Sequence, residues 1–325
     1  MRNTSSRAWI KAALGAMALL VALPAAAEDK FPSREVRLVV PWNAGGSNDI
    51  AARVLAPILA ENGIRIIVDN VPGGTGTIGM SRVANAPPDG YMLGMGTSST
   101  LSMIAQKKTL LRNDQFASIA RISTDPLMLL VASEGPKDVV AFIEEMKKKP
   151  GKVTIGTPGS YNLNHIFASM TARAAGVDYV NVPYPGGAKV ITDLAGGQID
   201  AAVLKPSESI GQIKAGQVRP IAVFGNERLS VFPDVPTMKE KGYDVFPYGP
   251  VVQMAYIVAP AKVPPDVRAK LISAFEKSIQ DPRFKAFAVE NGVVVDNLTG
   301  DALDKEVEAV QTSLNAVATQ VFKAE

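Results

Sequence analysis

The stretch Val36-Arg-Leu-Val-Val-Pro-Trp-Asn-Ala-Gly-Gly-Ser-Asn-Asp49-Ile-Ala-Ala-Arg53 joins an apolar strand to a helix through a glycine turn. Val36 to Val40 is a β-branched run suited to a buried strand, and Pro41 ends its ladder because it has no N–H to donate. Gly45-Gly46 lets the chain bend and lets backbone amides approach a ligand, while Ser47, Asn48 and Asp49 are all good helix caps. The first-turn amides of such a helix lack internal partners and attract an anion. A plain alternative exists: the glycines only permit the turn and Asp49 only caps. One βα turn by itself does not define a function.

Working outward, residues 1–27 read as an export signal. Arg2, Arg7 and Lys11 form a positive n-region, Ala12 to Leu23 is a short apolar segment, and Ala25-Ala26-Ala27 is a small-residue cleavage pattern. The apolar run is shorter than the ~20 residues a membrane-spanning helix needs. The chain has no cysteine, which rules out both a lipid-anchored cysteine and disulfides. Removing the signal takes three positive charges and no negative ones, so the formal net charge falls from +3 to 0. No basic run remains to neutralise a series of phosphates, and a nucleic-acid partner is not expected. The 298 residues that remain of 325 exceed one ordinary core, so two lobes are expected. With one histidine and no cysteine, no metal site is expected.

Along the chain, a helix from about Ser47 to Asn62 is followed by a strand at Ile64–Val68, then by a second glycine turn, Asn70 to Gly79, which includes Gly73 and Gly74. Tyr91 to Gly96 is a third strand, leading into a helix that starts at Thr97-Ser98-Ser99-Thr100. This βαβαβα order predicts a parallel sheet with ligand-binding turns at the carboxyl ends of its strands. The pattern restarts with strands at Leu127–Ala132, Val153–Gly156, Tyr179–Val182, Ile199–Leu204 and Val218–Phe224, and a further strand spans Val251–Ala259. Helices over Asp266–Gln280 and about Gly300–Lys323 each carry one apolar face and serve packing. The chain is expected to cross between lobes near Leu127–Ala132 and to return near Val251–Ala259. The expected organisation is 28–130 plus 252–325 for one lobe and 131–251 for the other.

Chemistry is hard to find in these residues. His165 has no second metal ligand at suitable spacing and no nucleophile motif beside it. Gly73-Gly74-Thr75-Gly76 lacks the phosphate-loop lysine, so no nucleotide or other cofactor is expected. No acid–base pair stands out, which disfavours an exported α/β enzyme. What stands out is a set of small, donor-rich turns from both halves, suited to holding a carboxylate. Lys205, after its strand, is either a positive partner for a second acidic group or a solvated lysine at a helix start.

In order and spacing, Val39-Val-Pro-Trp-Asn-Ala-Gly-Gly-Ser-Asn-Asp49, Val68-Asp-Asn-Val-Pro-Gly-Gly-Thr-Gly76, Pro88-Asp-Gly-Tyr91, His165, Val182-Pro-Tyr-Pro-Gly-Gly187, Asp193 to Asp200, Arg219 to Ala222 and Phe232-Pro-Asp-Val-Pro-Thr237 resemble the solute-binding proteins of tripartite tricarboxylate transporters, the Bug family of periplasmic receptors. The resemblance covers nearly all of the chain after the signal. It implies a type II-like, two-lobed periplasmic-binding-protein fold, each lobe a mainly parallel sheet flanked by helices, with crossing strands as hinge. It also implies a monomeric receptor without enzymatic activity, which closes on a small organic acid and delivers it to membrane permease subunits; a receptor signalling to a membrane kinase is the alternative.

By the same resemblance, Trp42, Asn43, Ala44, Gly45, Gly46, Ser47 and Asp49 belong to the carboxylate-holding turn. Gly73, Gly74, Thr97, Ser98, Ser160, Tyr161, Asn162, His165, Pro183, Tyr184, Gly186, Gly187 and Ala188 form the other walls, with Lys205 beside them. Two positions depart from the family: Tyr161 stands where a small residue is usual, and Leu204 where an aspartate is frequent. These departures place Tyr161 and Leu204-Lys205 as the expected selectors of the bound acid and count against an amino-acid ligand, whose ammonium would lose a partner.

Overall fold

A computed structural model describes residues 31–321 apart from residue 250; the expected export signal lies outside the described residues. The first sheet is built from β1 (Val36–Val40), β2 (Ile66–Asn70), β3 (Met92–Thr97), β4 (Phe116–Thr124) and β10 (Met254–Pro260), in the order β2-β1-β3-β10-β4. The second comprises β5 (Leu127–Ala132), β6 (Thr154–Thr157), β7 (Val180–Pro183), β8 (Ala201–Leu204) and β9 (Val218–Phe224), in the order β7-β6-β8-β5-β9. The two orders are the same pattern used twice.

In each sheet the core strands are parallel and one strand is reversed. β10 runs antiparallel to both β3 and β4, and β5 runs antiparallel to both β8 and β9. Both reversed strands are the ones that arrive from the other sheet. β4 delivers the chain to the carboxyl end of the first sheet, and Asp125-Pro126 carries it straight into the second. A strand that enters from the end where its neighbours finish has to run against them.

The two connections are held to each other, since the Asp125 amide donates to the Gln253 carbonyl at 2.7 Å. The helices α1 (Ser47–Glu61), α2 (Thr77–Ala84), α3 (Ser98–Ala105), α4 (Val139–Lys148), α5 (Leu163–Ala175), α6 (Gly187–Ala195), α7 (Pro206–Lys214), α8 (Pro265–Ile279) and α9 (Pro282–Glu290) cover the sheets, and α1, α3, α5, α6 and α7 are the ones that matter for the cleft. The long α10 (Gly300–Val321) buries Leu303, Val307, Val310, Leu314 and Val317, the face its spacing predicts. It joins Leu101 of α3 and Phe167 of α5 in one apolar cluster that spans both sheets. From Arg34 onward the chain is therefore one compact unit.

Several elements differ from the sequence reading, among them β8, which begins at Ala201 rather than Ile199, and β10, which begins at Met254 rather than Val251. β2 begins at Ile66 rather than Ile64, which brings Asn70 level with Val40 at the end of β1. β4 was not expected, because Ser118, Arg121 and Ser123 interrupt its apolar residues; the Arg121 side chain pairs with Asp296 and the Ser123 hydroxyl with Asp125, while the Ser118 backbone amide donates to Asp304 and its carbonyl accepts from Arg268.

Candidate functional site: a cleft between two uncapped helices

The turn after β1 is held from behind. Gly45 donates to Asp49 Oδ2 at 2.8 Å, Asn70 Nδ2 donates to Asp49 Oδ1 at 3.0 Å and to the Trp42 carbonyl at 3.1 Å, and Arg53 Nε pairs with Asp49 Oδ1 at 2.9 Å. Burial alone would raise the Asp49 pKa, but these hydrogen bonds and the Arg53 charge hold it below the usual carboxylate value. Asp49 thus shapes the turn instead of lining the cleft. The helix it serves starts at Gly46, which offers no side-chain cap.

The Gly45 and Gly46 amides are spent inside the turn, on Asp49 and on the Asn43 carbonyl. The first-turn amides of α1, at Ser47 and Asn48, are left without intrahelical acceptors. In the second lobe α6 begins in the same way, after Gly186 and again without a side-chain cap. By contrast, α3 is capped by Thr97 and α5 by Asn162.

Both uncapped helix starts line one cleft. Trp42, Asn43, Gly46, Ser47 and Thr97 face it from the first lobe, and Asn162, Gly186, Gly187 and Lys205 from the second. Ala44, Gly45 and Ala188 border an adjoining outer groove. Gly73 and Gly74 are exposed on the following turn. Ser98 binds the Val252 carbonyl and the Met254 amide, stitching α3 to the returning chain. Pro183 and Tyr184 support the second-lobe turn, with the Tyr184 amide on the Thr157 carbonyl.

Tyr161, expected across the cleft, lies where the lobes touch. Its carbonyl accepts from Ser102 Oγ at 2.6 Å and Gln106 Nε2 at 2.8 Å, and Lys108 Nζ sits 4.3 Å from its ring centroid. Its φ of +60° is one that a side chain rarely adopts. Neighbouring Ser160 offers its carbonyl to Thr75 Oγ1. His165 accepts the Tyr161 amide on Nδ1 at 3.1 Å and lines a separate surface depression.

Asn162, expected as a wall of the cleft, and Leu204-Lys205, expected to select the bound acid, are engaged within the protein. Asn162 donates to the Pro158 carbonyl and accepts from the His165 amide. Lys205 Nζ lies 2.8 Å from Asp125 Oδ2, and both side chains are buried. Burial would lower the lysine pKa, but Asp125 and Glu208 keep it raised, so it remains an ammonium. Leu204 is fully buried in the core.

The sequence reading missed Glu208 and Gln253, both of which line the cleft. Glu208 follows Lys205 by three residues, accepts its amide at 3.1 Å and places Oε1 against Gly187; burial raises its pKa. The capping spacing was visible, but its place at the cleft depends on α6. Gln253 carried no local signal. Among the described residues no group of three or more His, Asp or Glu could hold a metal ion, and no helix is long and apolar enough to cross a membrane.

Paired βα lobes, joined by two crossings and bringing the starts of α1 and α6 to one cleft, form the architecture of a two-lobed binding protein. Residues 51–315 match the TctC family, described as the tripartite tricarboxylate transporter family receptor. The chain belongs to that family, whose members are receptors and not enzymes. It is 34% identical to a UPF0065 protein of Bordetella pertussis over 86% of this chain and 87% of that one. Among solved structures it is similar to MatC from Rhodopseudomonas palustris with bound malate, at 27% identity, TM-score 0.79 and coverage of 88% and 100% of the two chains. R. palustris Rpa4515 with adipate is likewise similar, at 26% identity and TM-score 0.81, with 90% and 98% covered.

Proposed function

We propose that this chain is a periplasmic receptor, acting as a monomer, that captures a small organic acid between its lobes and delivers it to the permease of a tripartite tricarboxylate-type transporter. The ligand class is a di- or tricarboxylate or an aromatic acid. The observation that carries the reading is the pair of uncapped helix starts, α1 and α6, opposed across one cleft. Each lacks a side-chain cap at its glycine N-cap and presents the positive end of a helix dipole, which favours an anion without committing an arginine.

In this reading one jaw is 28–125 with 252–325 and the other 126–251, the first boundary falling at Asp125 instead of 130 because all of β5 pairs within the second sheet, and the lobes move about the paired crossings at Asp125 and Gln253. Malate in MatC and adipate in Rpa4515 support an acid of that size here. A thermal-shift screen of organic acids tests the assignment. A true ligand at 100 times its Kd adds about 2.7 kcal/mol to stability, which is readily seen as a higher Tm. Stabilisation by at least one such acid is expected. A flat response across mono-, di- and tricarboxylates would overturn the reading.

A further inference from the structure

Among the described residues, four buried side-chain polar atoms have no hydrogen-bond partner, and two of them, Trp42 Nε1 and Gln253 Oε1, belong to residues lining the cleft. Native proteins leave few such atoms, because each costs about 1–3 kcal/mol. Gln253 is only 6% exposed and its backbone is fixed by the bond from the Asp125 amide. The two orphans have opposite polarity. The indole nitrogen can only donate and the amide oxygen can only accept.

A bound carboxylate satisfies the indole. It cannot satisfy Gln253 Oε1, because an ionised carboxylate has no proton to give. The partner this oxygen lacks has to be a hydrogen-bond donor, and the cleft that Gln253 lines is where a ligand would bring one. An ammonium there would share the cleft with the buried ammonium of Lys205, whereas a hydroxyl is neutral.

We propose that Gln253 is a specificity-determining residue that accepts a hydrogen bond from a hydroxyl of the bound acid, so that the receptor prefers hydroxy acids to their deoxy counterparts. This rests on the carboxylate-receptor reading above. A site built to hydrogen-bond a ligand hydroxyl penalises the analogue that lacks it, since the buried acceptor is then left unpaired.

Calorimetry with matched pairs tests this, using malate against succinate and mandelate against phenylacetate on the wild-type protein and on Gln253→Met. In the wild type at least one pair should show a preference of about tenfold or more for the hydroxy acid, equivalent to ~1.4 kcal/mol. In Gln253→Met, which removes the amide oxygen together with its NH₂, that preference should fall below about threefold, because the hydroxy acid loses more affinity than its deoxy counterpart. Two results overturn the inference and leave the carboxylate reading standing: equal wild-type affinity within each pair that binds, as when the amide turns its NH₂ to a plain carboxylate, or equal losses for both acids in the variant. Binding of neither member of either pair, together with a flat organic-acid screen, overturns both.

Discussion

The ammonium of Lys205, at the start of α7, lies 2.8 Å from the carboxylate of Asp125, in the first crossing between the lobes. Ser123 also donates to that carboxylate at 3.0 Å, and Ser47 Oγ of the opposite lobe is 3.5 Å from the lysine nitrogen. The pair ties the ligand wall to the connection about which the lobes would move.

Removing one partner of a buried ion pair leaves the other uncompensated. Lys205→Met should therefore lose about 3–5 kcal/mol of stability, and Lys205→Met with Asp125→Asn should recover most of it. Urea denaturation of the two variants measures this. Because the ammonium is already paired, mono- and dicarboxylate affinities should fall in parallel in the single variant. A loss confined to dicarboxylates would show that Lys205 binds the second acid group directly.

Gly46 has an ordinary helical-entry φ of −76°, and a Cβ there would lie 3.2 Å from the Asn43 carbonyl, so a side chain asks the turn to yield by only a few tenths of an ångström. It also lines the cleft. Gly46→Leu should leave the Tm within a few degrees and reduce organic-acid binding by at least about a hundredfold, which is ~2.7 kcal/mol. At Gly187 a Cβ would lie 2.6 Å from Glu208 Oε1, so Gly187→Ala should weaken binding by displacing that carboxyl. Wild-type affinity in both variants would place the ligand elsewhere.

The Tyr161 carbonyl holds the second lobe to α3 through Ser102 and Gln106. Each of those hydrogen bonds is worth about 0.5–1.5 kcal/mol. Ser102→Ala with Gln106→Ala should shift the population toward an open form, seen as a larger radius of gyration by X-ray scattering, and raise the ligand Kd several-fold. Tyr161→Gly keeps the carbonyl and relieves the φ of +60°, so it should stay closed.

Asp49 anchors the turn that carries the first helix start. Its carboxyl has a depressed pKa in the fold, so its stabilising contribution is present above the unfolded value near 3.8 and is lost as the pH falls through the lower, folded value. Asp49→Ala should cost about 1–3 kcal/mol at pH 7, with the difference from wild type shrinking in acid below pH ~4. Chemical denaturation across pH measures both. Ligand affinity should fall as well, because Gly45, Asn70 and Arg53 lose their common partner.

Much of this protein is a local matter and was legible in the chain. Val36–Val40 reads as a buried strand, Gly45-Gly46 as a turn into a helix, and the apolar spacing of α10 as a packing face, because each depends on residues close in sequence. The doubled βα pattern and the two crossings followed from element order. The reversal of β5 and β10 did not, since strand direction depends on the end from which the chain enters a sheet.

The sequence by itself determined that two α/β lobes would present glycine turns at the carboxyl ends of their strands. Only the tertiary structure decided which polar groups those turns leave available. Lys205 finds Asp125 across 80 residues, Tyr161 finds α3, and Asn162 spends itself capping α5. Trp42 and Gln253, 211 positions apart, are left unpaired at one cleft. A hydrogen bond is satisfied in space, and spacing along the chain carries no record of partners brought together by the fold.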